Sequence, residues 1–92
     1  MRYDIGLLAN RILDHLNTHP RNRKEKEVIL HKYDILEAMK YKINNSITME
    51  DIEKALSILI IEGLIKKIKD DYKITEKGTN TILANPDIYI SH

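Results

Sequence analysis

The chain has 92 residues, 42% hydrophobic and 32% charged, and a formal net charge of +1. That length supports one hydrophobic core rather than two, so a single domain is expected over 1–92. There is no cysteine, which excludes a disulfide framework and thiol catalysis. No apolar run is long enough to cross a bilayer. The opening M-R-Y-D-I-G lacks the charged-then-apolar layout of a signal peptide, so a cytoplasmic location is expected.

Asp4 is placed to cap a first helix that runs to about Leu16. Ile5, Leu8, Ala9, Ile12 and Leu16 recur on one stripe of it, with Leu13 at the margin. His15 and His19 stand four apart, a metal-ligand spacing. No third ligand lies nearby and Pro20 follows directly, so no metal site is expected; cations near a helix end are the plainer account. The segment T-H-P-R-N-R-K-E-K carries a first basic cluster, Arg21, Arg23, Lys24 and Lys26. It reads either as a solvated loop or as a phosphate-neutralising one.

Val28 to Leu30 is a short apolar run with two readings. It serves as a first strand, or it opens an extended second helix, because Ile29, Tyr33, Leu36 and Ile43 approach helical spacing. The second helix otherwise begins at Tyr33 or Asp34, with Ile35, Leu36 and Met39 inward. Asn44, Asn45 and Ser46 are turn formers in the connection from Lys40 to Ile47, and Ile43 and Ile47 flank them as apolar anchors.

Thr48 and Asp51 stand three apart at the head of a third helix, a capping-box arrangement with a shorter acid. Ile52, Ala55, Leu56 and Leu59 form its buried stripe. Gly63 supplies the left-handed residue that stops it. Leu64 to Ile68 and Tyr72 to Thr75 follow as two strands of a hairpin. A three-residue loop, Lys69-Asp70-Asp71, would set Ile68 opposite Tyr72, Lys66 opposite Ile74 and Lys67 opposite Lys73. Ile68, Tyr72 and Ile74 would then share the core face with Leu64. Thr75 or Glu76 opens a fourth helix through Leu83, with Ile82 and Leu83 as its apolar contacts and Gly78 as a weak point. Asn85-Pro86 ends it. The tail D-I-Y-I-S-H alternates Ile88 and Ile90 about Tyr89, as an edge strand, a docking segment or a frayed end.

A helix stopped by glycine and continued into a charged hairpin is the second half of a winged helix-turn-helix. I-E-G-L-I-K-K-I and Y-K-I-T-E-K-G resemble the wing region of small winged-helix transcriptional regulators of archaeal and archaeal-virus type, over roughly Ile29 to Leu83. The fold class expected is mainly α with a small β-hairpin, α+β, in the order α1-(β1)-α2-α3-β2-β3-α4. The first helix and basic loop would occupy 1–26, the helix-turn-helix, wing and last helix 27–84, and the tail 85–92.

The resemblance implies a sequence-selective binder of double-stranded DNA that regulates transcription. The third helix would enter the major groove through Met49, Glu50, Glu53, Lys54 and Ser57, helped by Asn45 and Ser46 in the turn. Lys67, Lys69 and Lys73 of the wing, with Arg21 and Arg23, would meet phosphates. Two glutamates on a groove-facing helix are unusual, although a carboxylate accepts a hydrogen bond from the cytosine amino group. The alternative is a winged helix used for protein association. Ile61 points away from the core stripe and Ile58 lies at its side; with Ile88 and Ile90 they suggest a homodimer interface, unless the tail folds back over them within the monomer. Ile60 alone of the helix's last isoleucines lies near the core. No glycine-rich phosphate loop and no nucleophile with a neighbouring base is present, so neither enzymatic activity nor a cofactor is expected.

Overall fold

The computed structural model describes residues 4–18 and 29–84. Within them lie four helices and three strands: α1 (Ile5–Thr18), β1 (Ile29–His31), α2 (Lys32–Lys42), α3 (Met49–Ile61), β2 (Ile65–Ile68), β3 (Asp71–Ile74) and α4 (Glu76–Ala84). The strands form one antiparallel sheet in the order β1-β3-β2. This is a mixed α+β fold with the elements in the expected order. None of the described helices is long and apolar enough to cross a membrane.

Local chemistry sets the helix ends. Asp4 Oδ1 accepts from the Gly6 and Leu7 backbone N–H groups at 2.9 and 3.3 Å, the N-cap role expected of it. Thr48 and Asp51 form a reciprocal capping box: Asp51 N–H donates to Thr48 Oγ1 at 3.2 Å, and Thr48 N–H donates to Asp51 Oδ2 at 3.1 Å. At the other end of α3, Gly63 has φ +76°. Gly63 N–H donates to the Ile60 carbonyl, and Leu64 N–H to that of Leu59, both at 2.9 Å. These two bonds make a Schellman stop, and Leu59 and Leu64 bury its apolar contact.

The core joins α1 to α3. Leu8, Ile12, Leu13 and Leu16 are fully buried with Ile35, Met39, Ile52 and Leu56, and Leu59, Tyr72 and Ile82 complete the cluster. Leu13 therefore lies inside the stripe rather than at its margin, because α1 is covered on more than one side by α2, α3, α4 and the sheet. Val28 falls outside the described residues. Ile29 and Leu30 are strand, so the extended second helix is not formed. Leu30 is buried opposite Tyr72, and that burial fixes β1 beside β3.

Two expectations for the end of the chain need correcting. Leu83 is 69% exposed, and Ile82 alone of the pair enters the core. Gly78 is no weak point: a Cβ there would run into the Leu64 carbonyl oxygen and lie 2.6 Å from Ile74 Cγ1. α4 approaches the start of β2 so closely that only glycine fits. Thr75 ties the same corner together. Its hydroxyl donates to the Gly63 carbonyl at 2.7 Å and accepts from Gly78 N–H at 3.1 Å, capping α4 onto the stop of α3.

Candidate functional site

The hairpin register differs from the expected one by a residue. Ile65 pairs with Ile74, Lys66 with Lys73, Lys67 with Tyr72 and Ile68 with Asp71, leaving a two-residue loop, Lys69-Asp70. Ile65 is buried while Ile68 is exposed, so Ile65, not Ile68, joins Tyr72 and Ile74 on the core face. The reason is that Leu64 belongs to the helix stop. Strand alternation therefore begins at Ile65, one position later than a strand starting at Leu64 would give.

The lysines are redistributed accordingly. Lys66 faces Lys73 on the outer side of the sheet, beside Ile29, which pairs with Lys73 from β1. Lys67 is exposed at the end of the core-facing side, next to the turn. Lys69 holds the first turn position at φ +59°, a conformation that glycine favours in two-residue hairpin loops. Lys66 thus joins Lys67, Lys69 and Lys73 as a candidate; its facing partner depends on loop length, which charge counting along the chain does not give.

On α3, Glu50, Glu53, Lys54 and Ser57 are exposed as expected, while Met49 is half-buried against the core. The charges on this face are paired. Lys54 Nζ lies 3.4 Å from Glu50 Oε2 one turn away. Lys32 Nζ donates to Glu53 Oε2 at 3.2 Å from the start of α2, 21 residues earlier. The Glu53 hydrogen bond and charge hold the Lys32 ammonium above the usual lysine range. Nothing local in the sequence connects Lys32 to Glu53, 21 residues on. The outer face of α3 is consequently closer to neutral than its two glutamates suggest.

Between α2 and α3, Asn44 Oδ1 accepts from both the backbone N–H and the hydroxyl of Ser46, at 2.8 and 2.7 Å. Asn45 and Ser46 are exposed, and Ile47 is buried while Ile43 packs at the core's edge. Arg21, Arg23, Ile88 and Ile90 lie outside the described residues. At the end of α3, Ile58 is 40% exposed, Ile60 38% and Ile61 83%. Ile60 is thus as open as Ile58, not drawn into the core.

A separate cleft of about 240 Å³ lies between α1 and the end of α2, lined by Leu7, Arg11, Asp14, Met39, Lys42 and Ile43. Burial pushes the Asp14 carboxyl above the ordinary aspartate value, opposed by the charges of Lys42 and Arg11. Beside it, His15 is only 4% exposed and its Nδ1 lies 3.1 Å from Lys42 Nζ. His15 thus stands in the last turn of α1, as expected of a basic residue near a helix end, but buried against α2. His19 lies outside the described residues. Comparison with protein-family models, curated proteins and solved structures finds no match to this chain.

Proposed function

We propose that this protein is a winged-helix transcriptional regulator that binds double-stranded DNA with sequence preference. The first half of α3 enters the major groove and the β2–β3 hairpin lies on the phosphate backbone. The supporting observation is one succession along the chain: α3 with an exposed polar face, a glycine stop, then a hairpin bearing exposed lysines in a sheet ordered β1-β3-β2. Lysines on phosphates supply affinity without sequence information, and side chains at base edges supply preference. Glu50, Glu53, Lys54 and Ser57 carry the groups for the second task. A homodimer joined through Ile58 and Ile61 would place two such helices on paired half-sites. The protein acts in the cytoplasm without a cofactor and is not an enzyme.

One observation favours the second reading, a protein-association module. The two glutamates of α3 are already matched by Lys54 and Lys32, while three isoleucines at its end are open to solvent. Titration of a labelled duplex between 50 and 200 mM salt separates the two. Phosphate neutralisation gives a log–log slope of about −0.9 per phosphate contacted, so affinity is expected to fall steeply. Absence of binding to pooled random duplexes at the low-salt end would leave protein association as the function.

A further inference from the structure

Lys32 is the first residue of α2, directly after its N-cap His31. The aligned peptide dipoles make a helix start positive, so it favours an anion and disfavours an ammonium. Lys32 is nonetheless there, its side chain 28% exposed, with Nζ 6.0 Å from the centre of the Tyr33 ring. What stabilises it is Glu53, 53% exposed, in the second turn of α3. Surface ion pairs contribute little to stability, and Glu50–Lys54, one turn apart on one helix, is of that ordinary kind. Lys32–Glu53 differs in its reach, because it connects the start of one helix to the outward face of another.

Asp34 in the first turn of α2 answers the positive helix start, so the room for a further anion lies in the ammonium itself. An ammonium has three donors, and the bond to Glu53 Oε2 uses one of them. The others suit a second anionic oxygen, and Glu53 Oε1 is left to accept elsewhere. Building on the DNA-binding reading above, we propose that Lys32 is a positioning residue for Glu53. Its ammonium bridges a backbone phosphate to Glu53 Oε2 and so aims Oε1 at the N4 amino group of a cytosine in the major groove. Phosphate contact and base contact are then one unit, and a carboxylate reads DNA without facing an unscreened phosphate.

The test uses the full chain and its variants K32M, K32R and E53Q, with sites selected from random duplexes and then titrated as matched and single-substituted pairs. Wild type is expected to prefer C·G over T·A at one position by about tenfold, the lower end for a specific base contact. E53Q abolishes that preference and keeps the salt slope. K32M reduces the preference to within about threefold at the same position and makes the slope shallower by about 0.9. K32R restores the slope, and K32M adds no further loss of preference to E53Q. A K32M variant with altered slope but intact preference would make Lys32 a plain phosphate contact and overturn the proposal. So would one that alters neither quantity. Wild type that binds duplexes with no cytosine preference overturns the proposal but leaves DNA binding standing; wild type that binds no duplex overturns both.

Discussion

At the scale of single residues, Gly78 and Asp14 show how neighbours distant in sequence set a residue's worth. Exchanging a glycine inside a helix for alanine ordinarily gains about 1 kcal/mol. At Gly78 the added methyl would meet the Leu64 carbonyl and Ile74 instead, and overpacking of this kind costs about 1–3 kcal/mol. Gly78→Ala is therefore expected to lower stability by up to about 2 kcal/mol net, seen as a lower urea midpoint with an unchanged slope. A variant more stable than wild type would mean that α4 does not approach β2 so closely. Asp14 is a question of charge. Its carboxyl is raised above 3.8 chiefly by burial, so the folded state holds its proton more tightly than the unfolded chain does. That contribution is fully present below the unfolded value and is lost as pH rises through the folded one. Asp14→Asn should match wild type in strong acid and gain on it as pH rises towards neutrality. Urea unfolding across that range checks this, and an advantage confined to acid would reverse the sign.

Among the elements, the hairpin carries the most consequence. Its two-residue loop puts Lys69 in the left-handed region, a backbone cost of about 1–2 kcal/mol. In return Ile65 is buried opposite Ile74, and Leu30 and Tyr72 are buried side by side. Burial of one large apolar side chain is worth about 1.5–3 kcal/mol, so core placement outweighs turn strain. The same register puts Lys67 and Lys69 together near the tip. On the DNA-binding reading, replacing both with alanine should weaken binding to all duplexes alike and make the salt slope shallower by up to about 1.8, two phosphates' worth. Affinity and slope identical to wild type would remove the tip from the interface.

For the whole molecule the consequence lies at the exposed end of α3. Ile61 is 83% exposed and Ile58, three residues earlier, 40%. Isolated exposed apolar residues are common, but two one turn apart on the same helix suit a two-fold contact in which each copy buries the other's pair. We expect a dimer mass for the full chain in sedimentation equilibrium at micromolar concentration, and a monomer for Ile61→Asp. A monomer mass for wild type under those conditions rules out a stable dimer, and paired half-site binding with it.

What the sequence determined by itself is the set of features that close within a turn or two of chain. The N-caps at Asp4 and Thr48, the stop at Gly63 and the stripe Ile52, Ala55, Leu56 and Leu59 all rest on spacings of two to five residues. Their geometry is fixed as soon as a helix forms. The order of the elements other than β1 follows from the same local signals. Tertiary structure decided what depends on distant partners. Whether Leu30 is strand or helix rested on Tyr72, forty-two residues later, offering it a buried neighbour. The hairpin register turned on whether Leu64 belonged to the strand or to the helix stop, which the Schellman bonds resolve. The need for glycine at position 78 came from the Leu64 backbone passing beneath it. Lys32 acquired Glu53 as a partner only because folding sets α2 against α3. Periodicity reports which face of an element is apolar; it carries no information about which element arrives there, and that is fixed by the packing of the whole core.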